Sequence, residues 1–398
     1  MFSALVRKLT GNRGRNGSPH SVLIEGWRGI NHSYAMVNQY QLLELRKYPF
    51  KLFHTDLPFY NENWSAARNS GGFDDNYNQR IFSVPHHTNG IPDITYRIAY
   101  PYRFYKSPSR RLYVFGTAEF QNIDGMIWSK GGDADLNQAN LRIITPSNWS
   151  KVGFVNAGVS EEKVIVLPHG VDPSIFKPGR QKERKLVRDS FRIRDEDFAI
   201  LSLGAMTWNK GIDTLLCAYS TLRKRFPHIR LILKDQSNLY RLTGRNLLEE
   251  MKSKYPNDFT NDVTSSIAFV SDNLTLVQLS NLYNAADCYV SSYRAEGFNL
   301  PGLEAAACGI PVVLTAGGAT DDYCHESFAL RVKGERSREG NKTYIEPALD
   351  DLIDSISSVV EGAVAQFNRR KAVEHIRNHY SWSRIVETLV DVFAAEEA

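Results

Sequence analysis

Apolar positions along the chain repeat with two different periods, and the order of those periods predicts the architecture. Ser21-Val22-Leu23-Ile24-Glu25-Gly26-Trp27 is a short apolar run that reads as a buried strand, ending in a loop with Gly26 and Gly29. A helix from about Ser33 to Lys47 is expected next. Further strands are expected at Ile94–Tyr100, Arg111–Phe115, Leu141–Thr145 and Lys163–Leu167, separated by helical or looped stretches. The segment from Phe59 to Asn89 is rich in Asn, Gly, Asp and aromatic residues and shows little periodicity, so loops over one end of this half are expected there. A charged, proline-containing stretch from Asp172 to Asp197 reads as a linker running into a surface helix.

A second strand–helix series then begins. Strands are expected near Phe198–Leu203, Arg230–Leu233, Ile267–Val270, Cys288–Ser291 and Pro311–Leu314, with helices at Gly211–Arg225, Leu274–Asn284 and Pro301–Cys308. Such alternation implies parallel sheets. The fold class is therefore α/β, with two doubly wound halves of similar size, 20–180 and 181–380, facing across a crevice where ligands tend to bind. The final stretch, 381–398, repeats Trp382, Ile385, Val386, Leu389 and Phe393 at helical spacing. A one-faced helix must lie on something, either its own half or, by crossing back, the first.

The 398 residues suffice for two cores, and 42% hydrophobic with 23% charged residues is an ordinary globular composition. A formal net charge of +4 argues against a nucleic-acid partner. The basic excess is local: residues 1–19 carry Arg7, Lys8, Arg13 and Arg15 and no acid. They read as a disordered leader or, more sharply, as a peripheral membrane contact through residues 1–15 that binds anionic lipid. No run approaches the roughly 18–20 apolar residues of a membrane span. Four scattered cysteines without a C-x-x-C pair fit free thiols in a cytoplasmic protein, peripheral at the inner face of the membrane if the leader binds there.

Chemistry concentrates in Ser291-Ser292-Tyr293-Arg294-Ala295-Glu296-Gly297-Phe298-Asn299-Leu300-Pro301-Gly302-Leu303-Glu304 and the Ala305–Val313 stretch after it. A strand ends at Ser291, and Pro301 suits the first turn of a helix. Backbone N–H groups at such a start form an anion site suited to a diphosphate. Glu296 and Glu304 would repel a phosphate, so sugar hydroxyls are their natural partners. The stretch resembles the E-x(7)-E donor signature of glycosyltransferase family 4, which are retaining enzymes of GT-B fold. The resemblance implies that Glu296 contacts the transferred sugar and Glu304 the nucleotide ribose. It further implies that the amides of Phe298, Asn299 and Leu300 face the phosphates or the sugar.

Three further stretches agree, in the order the resemblance requires. They are Ile144–Ser150, Leu167–Asp172 with Phe176-Lys177-Pro178, and Ser202-Leu203-Gly204-Ala205-Met206-Thr207-Trp208-Asn209-Lys210-Gly211. By resemblance Lys210 supports the donor diphosphate, whose charge grows as the glycosidic bond breaks. The family usually has an arginine directly after the glycine at 204; here the residue is Ala205. Lys234, at a strand end, and Arg294 are the candidate replacements. Asn299 also stands where glycine is more usual. In the first half, Gly26 and Gly29 would let backbone approach the donor phosphates or the acceptor. Glu119, after a buried strand, resembles a family variant with Glu rather than His on the acceptor side, as a base or a sugar-orienting group. His86, His87 and His169 read as loop and packing histidines. Asp133, Asp135, Asp321 and Asp322 read as solvated loop acids, and no metal or other cofactor is expected.

Together these readings predict transfer of a hexose from a UDP- or GDP-sugar to a hydroxyl of a glycan or glycolipid acceptor, with retained configuration. A nucleotide-sugar epimerase of the same fold and a catalytically silent glycan-binding relative are the alternatives.

Overall fold

The computed structural model describes residues 20–66, 71–128, 135–364 and 367–395. The basic leader and Asp133 lie outside the described residues. The chain divides into two compact units: residues through Gly170 together with His379 onward, and Val171–Asn378.

In the first unit β1 (Ser21–Gly26), β2 (Lys51–Asp56), β3 (Ile94–Ile98), β4 (Arg111–Phe115), β5 (Leu141–Thr145) and β6 (Val164–Val166) form one parallel sheet in the order β2-β1-β3-β4-β5-β6. The chain steps from β1 outward to β2 and then returns to β1's other side, so the order reverses between β1 and β3. In open α/β sheets ligands gather beyond the strand ends at such a reversal. Strands β3 and β4 are buried along their whole length, and the polar residues inside them, Thr95, Arg97 and Arg111, are buried with the apolar ones.

Strand β2 escaped the sequence reading. Lys51-Leu52-Phe53-His54-Thr55-Asp56 is an edge strand with only Leu52 and His54 buried, and its polar residues mask the pattern. The 59–89 region likewise holds a helix, Asp75–Phe82, capped by the Asp74 carboxylate accepting from the Tyr77 amide at 2.8 Å.

Helix α1 (Ser33–Leu45) packs on this sheet and on α5 (Trp382–Ala394), the last helix among the described residues. Trp382 stacks on Tyr40 with centroids 5.2 Å apart, while Phe393 meets the rings of Tyr96 and Tyr113. Arg111 donates to the Ala395 carbonyl at 2.8 Å. A Cβ on Gly170 would lie 2.7 Å from the Trp382 backbone, so glycine is required there.

The border of the first unit lies ten residues before the expected 180. Residues 171–180 are held to the second unit by side chains of one of its helices, α3 (Leu276–Ala285). Ser280 donates to the Ile175 carbonyl at 2.7 Å, and Asn284 bonds both the Lys177 carbonyl and the Gly179 amide.

The second unit's sheet contains β7 (Phe198–Leu203), β8 (Ile229–Lys234), β9 (Ile267–Val270), β10 (Cys288–Ser291), β11 (Val312–Thr315) and β12 (Ala329–Val332). All are parallel, in the order β12-β11-β10-β7-β8-β9, so the reversal falls between β7 and β10. Helices α2 (Ile212–Arg225) and α4 (Leu300–Ala307) follow β7 and β10 directly. An antiparallel hairpin, β13 (Gly334–Glu339) and β14 (Lys342–Pro347), had no counterpart in the sequence reading, because most of its residues are exposed and polar.

Candidate functional site

The loops leaving β7 and β10 meet at the reversal point of the second sheet. Asn209 joins them: its carbonyl accepts from the amides of Arg294 and Ala295 at 2.8 and 3.1 Å, and its side chain donates to the Ala295 carbonyl. Ser292 donates to the Gly211 carbonyl at 2.7 Å. Gly211 has φ 65°, and a Cβ there would fall 1.8 Å from the Ser292 carbonyl oxygen. Only glycine satisfies both conditions. This junction brings Lys210 Nζ within 2.8 Å of Glu296 Oε1, with both side chains partly open to solvent. Gly204 (φ 153°) lies against the aliphatic stem of Lys210.

The start of α4 explains Asn299. Its φ of 70° and ψ of 65° are left-handed, a region where asparagine is the best-tolerated residue after glycine. Its side chain accepts from the Gly302 amide at 3.1 Å and donates to Ser291 at 2.8 Å. The expected anion site is therefore reduced, since Asn299 occupies Gly302 N–H and Pro301 has none. Phe298, Asn299 and Leu300 make this turn, with the Phe298 side chain buried against Tyr323.

Glu304 lies one turn into α4 and accepts a hydrogen bond from the Tyr283 hydroxyl at 2.8 Å. Burial pushes its carboxyl up to about 7, against the lowering effect of that bond. Tyr283 had no motif to announce it. Its signal is a tyrosine on the inner face of α3, where a buried hydroxyl needs a partner. Glu296 and Glu304 both act on the buried phenol of Tyr289, which burial raises well above its usual value.

Lys234 ends β8, with its carbonyl bonded to the Gly204 amide at 3.0 Å. Its ammonium is buried and, among the described residues, hydrogen-bonds only the Asp235 carbonyl. Burial lowers its pKa, opposed by the charges of Asp235 and Asp272. Asp235 is itself committed to the Ser237 and Gly244 amides and to Ser271. Lys234 is thus a buried, under-bonded cation at the end of the strand whose backbone pairs with Gly204.

Arg294, the other candidate replacement, is fully engaged within the unit. All five of its N–H donors are occupied: Nε by Glu346, Nη1 by the Trp208 carbonyl and Asp213, and Nη2 by Asp213 and Thr214. Its guanidinium also lies over the Trp208 ring, 4.8 Å from the centroid. It is a positioning residue that holds the Trp208–Lys210 turn, α2 and the hairpin together. Hydrogen bonds and charges from Asp213 and Glu346 raise its pKa despite burial.

In the first unit, Gly26 and Gly29 serve local packing rather than a phosphate. A Cβ on Gly26 would meet the Ile98 carbonyl at 2.8 Å, and the Gly29 amide donates to Gln39 at 3.0 Å. Glu119 follows β4. Its backbone carbonyl accepts from Trp149 at 2.7 Å, and its charge acts on Tyr34 and Tyr100. His169 is buried between Phe115 and Trp382, and burial lowers its pKa to about 3, so it is neutral. Asp321 is exposed, as expected of a loop acid, and also accepts from the Gly317 amide and pairs with Arg331.

Similarity to known proteins differs in extent between sequence and structure. Mannosylfructose-phosphate synthase from Agrobacterium fabrum is 30% identical over 161 residues, 40% of this chain and 34% of that protein. Across the curated relatives considered, the matched stretch is between 31% and 54% of the relative's length. Sucrose-phosphate synthase from Thermosynechococcus elongatus superposes with a TM-score of 0.65 at 14% identity, covering 94% of this chain and 98% of that one. Anabaena HepE in complex with UDP-glucose gives 0.63 at 13% identity, covering 94% and 99%. These likenesses show that the chain has the GT-B fold. The segment that carries Lys210, Glu296 and Glu304 lies within residues 183–355, which match the family model described as Glycosyl transferases group 1.

Proposed function

We propose that the chain is a retaining hexosyltransferase that uses a UDP- or GDP-sugar and a glycan or glycolipid hydroxyl acceptor. The observation that carries this reading is the Lys210–Glu296 pair, 2.8 Å apart at the reversal point of a doubly wound sheet. The match of that segment to the glycosyl transferases group 1 supports it. In this reading Glu296 accepts hydrogen bonds from hydroxyls of the transferred sugar, and Glu304 from the ribose. Lys210 and Lys234 hold the diphosphate, together with the amides of Phe298, Asn299 and Leu300. Donor binding then exchanges the internal Lys210–Glu296 pair for one pair with phosphate and one set of hydroxyl contacts.

Negative charge grows on the departing diphosphate during transfer. A cation already in place stabilises the transition state more than the ground state, which raises kcat rather than affinity alone. Gly204 lets the chain pass close to the Lys210 stem. Glu119, on the first unit, orients the acceptor or takes its hydroxyl proton. No metal is required for charge stabilisation in this scheme.

Calorimetry with UDP and GDP, followed by turnover with their sugars, tests the reading. Glu296→Ala is expected to abolish transfer while nucleotide affinity stays mostly intact. Absence of binding by either nucleotide would refute the donor site, and equal loss of both properties would reverse the roles of the two glutamates. Ala205 favours one second reading, a catalytically silent relative, which would bind nucleotide without turnover.

A further inference from the structure

The mechanism leaves unused a group of aromatic side chains at the strand ends of the first unit. The loops after β2, β1, β3 and β4, neighbours across the reversal point, deliver Tyr60, Trp27, Tyr100 and Glu119 respectively. Tyr60 is 59% exposed, and its ring meets that of Tyr100 at 5.2 Å and 70°. Tyr100 is half-buried and backed by the rings of Tyr34 and Tyr102. Neither the Tyr60 nor the Tyr100 hydroxyl has a hydrogen-bond partner among the described residues.

We propose that Tyr60, Tyr100 and Glu119 form the seat for an uncharged pyranose ring of the acceptor; this rests on the transferase reading above. The C–H face of a sugar ring is apolar and weakly positive, so it stacks on the negative face of an aromatic ring. Its hydroxyls need acceptors at the rim of that contact, where a carboxylate takes them strongly. Phenol hydroxyls beside it donate or accept as required. Burial, then Tyr60 and the Glu119 charge, raise the Tyr100 phenol, so it stays neutral and able to donate near neutral pH.

Two other occupants fit less well. An acyl chain would strip water from Glu119 without replacing it, which is costly. A phosphate would face Glu119, the charged side chain that acts on both Tyr100 and Tyr34. The backbone leading into Glu119 is also anchored. The Thr117 amide lies 3.1 and 3.0 Å from the Tyr34 and Tyr102 hydroxyls, and the Ala118 amide donates to Ser150 at 3.1 Å. A backbone anchored in this way loses little entropy on binding.

The test uses the full chain on an array of neutral glycans, acidic glycans and glycolipids, with calorimetry on the strongest array ligand. Wild type should retain glycans ending in neutral pyranoses. Tyr60→Ala and Tyr100→Ala should each weaken that binding about tenfold, as expected for loss of one stacking face. Tyr60→Phe, which keeps the ring, should stay within about threefold. Tyr60 is exposed, so its variants are expected to fold, which circular dichroism checks. No glycan retained by wild type, retention of acidic glycans or lipid-linked probes only, or equal binding by the alanine variants would overturn the proposal. UDP and GDP binding on the same preparation separates the two readings. Nucleotide binding without glycan binding sinks the seat alone, and glycan binding without nucleotide binding sinks the donor site alone.

Discussion

Replacing Arg294 separates a donor-contacting arginine from one that positions the site. Arg294→Ala deletes five donated hydrogen bonds and the contact with the Trp208 ring. Hydrogen bonds to charged groups contribute about 1.5–3 kcal/mol each. The Asp213 and Glu346 side chains are 34% and 43% exposed, so water recovers much of what they lose. The cation–π contact adds about 0.5–1 kcal/mol. A net loss of about 3 kcal/mol is expected, felt locally where β14 meets the Trp208–Lys210 turn. That corresponds to about a hundredfold rise in local opening. The probe is amide hydrogen exchange of peptides covering 205–214 and 342–347. The Ile345 amide, which donates to the Arg294 carbonyl at 2.9 Å, should report most directly. Arg294→Lys keeps the charge but not the planar fork, and about half the protection should be lost. Unchanged exchange with a large fall in UDP or GDP affinity would show that Arg294 contacts the donor, and the positioning argument would be wrong.

Three further outcomes are expected. Glu304 is held at about 7 in the folded chain against an ordinary 4.5, so the folded state binds more protons between those values and stability falls as pH rises through that window. Glu304→Gln should remove up to about 3 kcal/mol of that slope, read from unfolding midpoints between pH 5 and 8, and an identical slope in the variant would contradict the assignment. Lys234→Met replaces a buried ammonium with an apolar chain of similar length; the unfolding midpoint should hold or rise while UDP or GDP affinity falls at least about tenfold. A lower midpoint with undiminished affinity would make Lys234 structural. Gly211→Ala combines left-handed strain with a backbone clash, together about 2–5 kcal/mol, and should lower the urea midpoint sharply. A near-normal midpoint would mean that the two loops are not locked at Ser292.

The two sheets were legible because their central strands are largely buried and rich in β-branched and aromatic residues. Strand β2 and the β13–β14 hairpin were not, since Lys51, Asp56 and the residues of Gly334–Glu339 face outward. Lys210, 86 residues before Glu296, was singled out by resemblance alone and lies 2.8 Å from it in the fold. Glu296 and Glu304 could be placed around one helix start because their spacing is local. Arg294 was misjudged for the opposite reason. Its partners Asp213 and Glu346 lie 81 and 52 residues away, so nothing near it in sequence shows that its donors are taken. Gly26 and Gly29 illustrate the same limit. A glycine made necessary by Ile98 or tethered by Gln39 looks, in sequence, like one that makes room for a ligand.

Helix α5 also sets an order on assembly. Tyr40, Tyr96 and Tyr113 belong to the first unit, yet the side chains that cover them, Trp382 and Phe393, are translated only after the whole second unit. On the ribosome the second unit can therefore close around its own core while the first still carries an uncovered aromatic face. A nascent chain halted anywhere between Gly170 and Trp382 would present that face to chaperones or to other chains. Completion of the first half thus waits until the second unit has been made.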